Sequence, residues 1–190
     1  VSPDEEGEDL LGIPLEPSKH VLIVEENVEA VSFLKQFSDR CPFVEPEISG
    51  LLKNSPKSHQ VEGIGWLQEC WAKGFPGVLL ADDMGLGKTF QTLGFLAWLK
   101  DKRHALGLPK QPMLIVAPTS LLNNWIDEET LHLFDPGLGT PGLLFGSELK
   151  SFKEKGCSND IAEGRSTLGT SDLMECDWLL TTYEALRDYQ

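Results

Sequence analysis

The stretch Val78-Leu79-Leu80-Ala81-Asp82-Asp83-Met84-Gly85-Leu86-Gly87-Lys88-Thr89 decides how the fold of this chain is predicted. An apolar run stops at two aspartates, and a turn with two glycines follows. The next segment then carries apolar residues at helical spacing, namely Phe90, Leu93, Leu96 and Ala97. The pattern predicts a strand, a short loop and a helix that runs to about Lys102.

A loop of this kind in front of a helix suits a polyphosphate ligand. The first turn of a helix offers backbone N–H groups without an intrahelical partner, at the positive end of the helix dipole. Gly85 and Gly87 allow backbone conformations closed to other residues and a close approach to the anion. Lys88 can then reach the β and γ phosphates, and the Thr89 hydroxyl can bind the magnesium ion held by them. A glycine-rich turn without a ligand is the alternative, since the usual pattern G-x-x-x-x-G-K-[ST] has a glycine where this chain has Asp82.

The departure at Asp82 matches one family. Residues 82–89 resemble the phosphate loop of Swi/Snf-type helicase-like ATPases of helicase superfamily two, which commonly reads D-E-M-G-L-G-K-T. The resemblance implies that the loop binds ATP with magnesium, that Lys88 and Thr89 are catalytic, and that Thr89 is the magnesium ligand. The residues implied to surround the nucleotide are Asp82, Asp83, Met84, Gly85, Leu86, Gly87, Lys88 and Thr89.

A helix is predicted ahead of this loop, because Val61, Ile64, Leu67 and Trp71 form one apolar stripe. Its start resembles the family pattern L-[RK]-x-[YH]-Q-x-x-G-x-x-W-L, with Gln60 at the position of the glutamine. The amide of Gln60 can both donate to and accept from an adenine edge. The alternative is that Gln60 is an exposed polar residue at a helix start.

Two later strand ends resemble the motifs with which this family holds the DNA backbone. The apolar runs 113–117 and 178–180 are each followed by residues with hydroxyl groups. The resemblance implies that these residues contact phosphates of double-stranded DNA. Serine or threonine at such positions is also expected to cap the helix that follows, and both roles can hold at once. The candidate DNA contacts are Pro118, Thr119, Ser120, Thr181, Thr182 and Tyr183.

Strands and helices alternate from residue 77 to the end, with later strands predicted at 113–117, at 142–146 and from 177 to 181. This order predicts an α/β fold in which a parallel sheet is flanked by helices. The continuous apolar run 113–117 is typical of a strand buried on both faces. Ligands of such sheets bind at the carboxyl ends of the strands, so all three motif loops should lie on one edge. The resemblance implies the first RecA-like P-loop lobe, and the polar stretch 147–176 is predicted to be a surface excursion.

The chain has 190 residues and a formal net charge of −14. That length suffices for one domain with a stable core. Residues 1–30 hold nine acidic residues against one lysine, and residues 1–46 are predicted to form an acidic N-terminal extension of the lobe 47–190. A strand at 21–24 and a helix at 28–37 are predicted within this extension. Because affinity for nucleic acid rests mostly on neutralising phosphates, only a local face of so acidic a chain is expected to contact DNA.

The cysteines at 41, 70, 157 and 176 show no metal-ligand spacing, so they are predicted to be reduced thiols with a packing role. No apolar run approaches the roughly 20 residues that a membrane helix needs, and no membrane partner is predicted. The predicted compartment is the cytoplasm or the nucleus, or the nucleoid of a bacterium.

The family's next motif, D-E-x-H, does not occur in this sequence. No acidic pair ends an apolar strand after Thr89, since Asp127 and Glu128 fall within a predicted helix. The groups that complete the magnesium site and orient the attacking water are therefore expected in a longer chain, as is a second RecA-like lobe. We expect an inactive fragment: the nucleotide-binding half of an ATP-dependent translocase on double-stranded DNA that remodels bound protein. The alternatives are a non-catalytic P-loop docking or regulatory module and, more remotely, a small-molecule kinase.

Overall fold

The computed structural model describes residues 39–41, 45–153, 161–162, 165–166 and 168–189, all within the unit Phe37–Gln190. The elements predicted at 21–24 and 28–37 lie outside the described residues. Within the described part, the helices are α1 (Ser58–Ala72), α2 (Lys88–Lys102), α3 (Leu122–His132), α4 (Thr170–Glu175) and α5 (Tyr183–Asp188). The strands there are β1 (Met113–Val116), β2 (Pro141–Leu144), β3 (Ile161–Ala162), β4 (Arg165–Ser166) and β5 (Trp178–Thr181). Short 3-10 helices span Thr119–Leu121 and Glu148–Phe152. None of these helices is long and apolar enough to cross a membrane.

A parallel sheet in the order β1-β5-β2 forms the centre of the fold. Val116 of β1 and Leu144 of β2 both pair with Thr181 of β5, one from each side. Because both neighbours run parallel to β5, the carboxyl ends of the three strands meet at one edge. The predicted α/β fold, with a parallel sheet flanked by helices, is confirmed.

The central strand of this sheet is the most buried one. All four residues of β5 are buried, and Leu180 has no exposed surface. In β1, Met113 and Ile115 are buried, whereas Leu114 is 51% exposed. The prediction that 113–117 is buried on both faces is therefore wrong, because the face that carries Leu114 remains open to solvent.

Residues 78–81 do not form the predicted strand. They pair with none of the described strands, and Leu79 is 83% exposed. A strand requires a hydrogen-bonded neighbour, and residues 78–81 lie on neither outer edge of the described sheet, which β1 and β2 form. The apolar composition of residues 78–81 predicted burial, but it could not identify a strand with which they would pair. The phosphate loop that follows them is held by contacts with α1 and α2.

Helices α1 and α2 pack closely against each other and against the sheet. Ile64 of α1 and Leu93 of α2 are fully buried, in one cluster with Leu180 of β5. Gly94 permits this approach, because a Cβ atom there would lie 2.6 Å from Cδ1 of Ile64. The predicted apolar stripe of α1 is right only in part, since Val61 is 39% exposed.

The polar stretch 147–176 carries the second 3-10 helix, an antiparallel β3–β4 pair and α4. Cys176 at its end is buried in a small cluster with Leu144 and Leu179. Cys70 of α1 is buried as well, and both thiols are free. Burial raises the pKa of each thiol, with a smaller contribution from neighbouring carboxylates, so both stay protonated at neutral pH. The predicted packing role is confirmed for these two cysteines.

Candidate functional site

The loop in front of α2 turns on two glycines with positive φ. Gly85 has φ of 92° and Gly87 has φ of 78°, and Gly87 is the N-cap residue of α2. Residues other than glycine rarely adopt backbone conformations with such φ values, so the predicted dependence of this turn on glycine is confirmed. Because α2 begins at Lys88, its unpaired N–H groups follow the loop directly.

The Lys88 side chain lies back across this loop. Its Nζ atom donates to the backbone oxygen of Asp82 at 2.6 Å and to that of Asp83 at 3.0 Å. Both acceptors are neutral carbonyl groups. A phosphate in the loop would attract this ammonium group more strongly than they do, because the phosphate carries a full charge.

Gln60 contacts the loop from the start of α1. Its Nε2 atom donates to the Leu86 carbonyl at 3.3 Å, and its Oε1 atom accepts from the N–H of Lys57 at 3.0 Å. A Cβ atom on Gly87 would lie 2.5 Å from Nε2 of Gln60, so the glycine makes room for this contact. An amide side chain has two donor hydrogens and two acceptor lone pairs, so Gln60 keeps one of each for a ligand.

A cavity of about 420 Å³, which we call the base cavity, lies beside the loop and α2. Three residues predicted from the sequence line it together: Gln60, Gly87 and Thr89. The cavity is within the range of small-ligand sites, which is about 300–1,000 Å³. Its remaining lining residues are Asn54, Ser55, Lys57, Phe90, Glu128 and His132.

One wall of the base cavity comes from the C-terminal end of α3. The His132 ring meets the Phe90 ring edge-on, with centroids 5.0 Å apart and an interplanar angle of 87°. Nε2 of His132 lies 3.0 Å from a Glu128 carboxylate oxygen, and Nδ1 lies 3.1 Å from the amide nitrogen of Asn54. Because an amide nitrogen only donates, Nδ1 accepts from Asn54 in this arrangement and Nε2 donates to the Glu128 carboxylate. The wall thus offers aromatic surface and polar groups in fixed positions.

The other residues of the predicted nucleotide set do not line the base cavity. Asp82 and Leu86 line a second cavity of about 510 Å³, together with parts of α1 and of the run 78–81. Met84 is 97% exposed. Asp83 and Gly85, on either side of Met84, are exposed as well, and Leu86 is 38% exposed. The loop therefore lies between two cavities, and only its glycine and threonine end lines the one with Gln60.

The two predicted DNA motifs start side by side at the carboxyl edge of the sheet. Val116 pairs with Thr181, and the N–H of Ala117 donates to the Thr181 carbonyl at 3.0 Å. The predicted common edge of the three motif loops is therefore confirmed for these two. It is not confirmed for the phosphate loop, because residues 78–81 in front of it are not a strand of the described sheet. Four of the six candidate DNA contacts are exposed there, namely Pro118, Thr119, Ser120 and Tyr183.

The two threonines at the end of β5 are largely buried. The Thr182 hydroxyl accepts from the N–H of Ala185 at 3.1 Å, so the predicted helix cap is confirmed for this residue. Thr181 is 2% exposed, and its hydroxyl donates to the Leu144 carbonyl at 3.1 Å. This hydroxyl is engaged within the sheet and is not one that a phosphate would meet.

The cap predicted at Thr119 or Ser120 is wrong. Pro118 precedes the 3-10 helix Thr119–Leu121, and Leu121 is the N-cap residue of α3. Neither helix start has a side-chain cap bond. A 3-10 turn between strand and helix places both hydroxyl-bearing residues inside that turn, one or two positions before the N-cap.

Taken together, the glycine loop at a helix start, the adjacent cavity and the parallel sheet define an α/β lobe of the P-loop nucleotide-binding class. The chain belongs to the SNF2-related domain family, which matches residues 59–190. This match confirms the resemblance to Swi/Snf-type ATPases that residues 82–89 indicate.

Individual relatives agree with this membership. The chain is 39% identical over 189 residues to the Zorya protein ZorD of Escherichia coli O139:H28, covering 91% of this chain and 17% of ZorD. It is 46% identical over 90 residues to the chromatin-remodeling ATPase INO80 of Arabidopsis thaliana, covering 47% of this chain and 6% of INO80. It is 41% identical over 100 residues to the ATP-dependent DNA helicase DDM1 of the same plant, covering 53% of this chain and 11% of DDM1. The chain thus spans less than a fifth of each of these relatives.

Six of the residues that line the base cavity were not predicted as site residues from the sequence. They are Asn54, Ser55, Lys57, Phe90, Glu128 and His132. The structure confirms that Glu128 lies within a helix, α3, and does not end a strand. The spacing of Glu128 and His132 by four positions could have indicated their pairing on one helix face. Nothing local in the sequence indicates that this face meets Phe90.

Proposed function

We propose that this chain is the nucleotide-binding half of an ATP-dependent motor that moves along double-stranded DNA and remodels protein bound to it. One observation carries the proposal: the base cavity brings Gln60, Gly87 and Thr89 together beside the start of α2. Family membership supports the same function, because two of the relatives are named as a chromatin-remodeling ATPase and an ATP-dependent DNA helicase.

On this proposal the adenine lies in the base cavity and the phosphates lie against the loop and the start of α2. Gln60 reads the base edge with its remaining donor and acceptor, while Phe90 and His132 supply apolar contact. Lys88 leaves the carbonyls of the loop and binds the β and γ phosphates. The Thr89 hydroxyl would hold a magnesium ion, which would neutralise charge on the phosphates.

The chain provides only part of such an active site. No acidic pair ends an apolar strand after Thr89 in the sequence. Groups that orient the attacking water, complete the magnesium site and stabilise the transition state would belong to a longer protein with a second RecA-like lobe. We therefore expect this chain alone to bind ATP weakly and to hydrolyse it negligibly.

The DNA would lie along the carboxyl edge of the sheet. Thr119 and Ser120 are exposed there, next to the end of β5, and their hydroxyls are not used as helix caps. Hydroxyl and backbone N–H groups position a phosphate backbone without reading the bases. With a net charge of −14, the chain is not a general binder of DNA, so these local contacts matter.

Replacing Thr119 and Ser120 together by alanine is expected to weaken the stimulation of ATP hydrolysis by DNA. In a longer protein that carries this chain, the DNA concentration for half-maximal stimulation should rise about tenfold, because two hydrogen bonds to phosphate are lost. The rate without DNA should stay unchanged. The measurement is the rate of ATP hydrolysis against the concentration of duplex DNA.

Thr170 and Ser171 provide a matched control for this double variant. They are the same pair of residue types, exposed at the start of α4. Their replacement by alanine should leave the DNA titration unchanged. If DNA failed to stimulate the unaltered protein at all, the motor function would be refuted, and a docking or regulatory module would be favoured.

A further inference from the structure

Three side chains converge on the backbone carbonyl of Leu86 in the phosphate loop. Nε2 of His59 lies 3.2 Å from this oxygen, Nε2 of Gln60 3.3 Å and Nε2 of Gln91 3.4 Å. A carbonyl oxygen can only accept, so all three nitrogens act as donors in these contacts. Two of the donors come from α1 and one from α2, so the carbonyl is held from both helices.

The direction of this carbonyl fixes the direction of the next amide. The peptide group between Leu86 and Gly87 is planar and trans, so its C=O and N–H bonds point in opposite directions. With the carbonyl directed at the side chains of α1 and Gln91, the Gly87 N–H points away from them. It is thereby free to join the unpaired N–H groups at the start of α2 in binding an anion.

Gln91 is the most enclosed of the three donors. It has no exposed surface, and its Nε2 atom also donates to the Asp82 carboxylate at 2.9 Å. One amide group thus holds both ends of the loop, Asp82 and Leu86. The reverse orientation of the amide would place its oxygen against a carboxylate and a carbonyl, and both would repel it. The positions of the nitrogen and the oxygen of the Gln91 amide are therefore determined.

The Oε1 atom of Gln91 is buried and has no hydrogen-bond partner among the described residues. An acceptor left in this state costs free energy, which an apolar side chain at the same position would avoid. Gly63 of α1 leaves the space that this oxygen occupies, because a Cβ atom added at Gly63 would overlap Oε1. Gly63 and Gln91 therefore form one unit, although they are far apart in the sequence.

We propose that Gln91, whose amide occupies the space left by Gly63, is a positioning residue for the phosphate loop. It holds the Leu86 carbonyl so that the Gly87 N–H faces the β and γ phosphates. This inference rests on the proposed nucleotide-binding function. Gln91 touches neither the base cavity nor the reacting groups, and it acts through the backbone of the loop.

The test compares nucleotides that differ in their phosphates, in a longer protein that carries this chain. Gln91→Ala should weaken binding of ATP and ADP about tenfold, the effect of losing one well-placed phosphate contact. Binding of AMP should change less than about twofold, because AMP has neither of the phosphates concerned. Calorimetry with each nucleotide and magnesium gives the three affinities.

Gln68 is the matched control, because it is another buried glutamine whose amide group makes two hydrogen bonds. It is 1% exposed, and it donates to and accepts from the backbone of Glu47, not the loop. Gln68→Ala should lower the stability of the fold but leave the ratio of ATP to AMP affinity unchanged. A purely structural role of Gln91 would give the same pattern as this control.

Gly63→Ala supplies an independent variant, because alanine inside a helix favours folding over glycine. Alone, it should weaken ATP binding about as much as Gln91→Ala, since the new Cβ displaces the Gln91 amide. In the Gln91→Ala background it should have almost no further effect. Additive effects of the two substitutions would contradict the pairing of Gly63 with Gln91.

The outcomes separate this inference from the function on which it rests. If the unaltered protein binds no ATP, the proposed function falls and the role of Gln91 with it. If the unaltered protein binds ATP and Lys88→Ala abolishes that binding, while Gln91→Ala keeps the full affinity, only the positioning role is refuted. Equal losses for ATP and AMP would also refute it, since they would show a general effect on the site.

Discussion

Lys88→Ala is expected to reduce ATP hydrolysis by a factor of roughly 100–1,000 in a longer protein that carries this chain, the usual cost of removing one group that stabilises transition-state charge. The Lys88 ammonium lies 2.6 Å from the Asp82 carbonyl of the loop, and Lys88 is the first residue of α2, directly after Gly87. The substitution removes the positive charge that would bind the β and γ phosphates. Steady-state rates at saturating DNA give the measurement.

Lys73→Ala is the control for this variant. Lys73 is exposed at the end of α1, and its ammonium binds the Glu69 carboxylate one helical turn away, at 2.6 Å. Exposed pairs of this kind contribute little to stability, and Lys73 lines neither of the two cavities beside the loop, so the rate should stay within about twofold of the unaltered protein. Undiminished hydrolysis in Lys88→Ala would mean that this lysine does not bind the phosphates.

Leu180→Ala is expected to lower the free energy of unfolding by about 3–4 kcal/mol. Leu180 has no exposed surface, and it lies on the central strand, between β1 and β2. Its truncation leaves a cavity in the middle of the main core cluster. Urea unfolding followed by circular dichroism measures the loss.

Leu114→Ala provides the comparison, because it removes the same atoms from the neighbouring strand. Leu114 is 51% exposed, so its truncation should cost less than about 1 kcal/mol. Similar losses for the two leucines would contradict the central position of β5. The pair therefore tests the strand order from which the positions of the DNA motifs follow.

The local features of the phosphate loop were predictable from the sequence. Two glycines before Lys-Thr indicated positive φ values, and the structure has them at Gly85 and Gly87. The helix predicted to run to Lys102 ends there. The strands that begin after residue 112 and after residue 177 were also predicted, because a short continuous apolar run bounded by polar residues is typical of a strand in a parallel sheet.

Features that depend on a neighbour elsewhere in the chain were not predictable in the same way. Residues 78–81 have the composition of a strand, but pairing requires a partner that the described residues do not supply. Leu114 has the residue type of a buried position, yet nothing among the described residues covers its face. The same reason applies to the base cavity, where α3 brings His132 to Phe90 from a distant part of the sequence.

The function of Gln91 could not be predicted from the sequence, for a third reason. It stands three positions after Lys88, and a glutamine on a helix is most often a solvent-facing residue. Its function as a donor to the loop follows only from its burial and from the room that Gly63 leaves. A glycine inside a helix, where it weakens the helix, was the one available signal that another side chain needed the space.

The central claim is that the adenine of ATP occupies the base cavity between Gln60 and His132. Photolabelling with an ATP derivative that carries an azide on the base, followed by mass spectrometry of the peptides, tests it most directly. We expect labelling within residues 54–60 or 128–132, suppressed by excess ATP and absent in Lys88→Ala. Labelling that ATP suppresses but that falls on Trp66 or Leu79, in the second cavity, would contradict the claim.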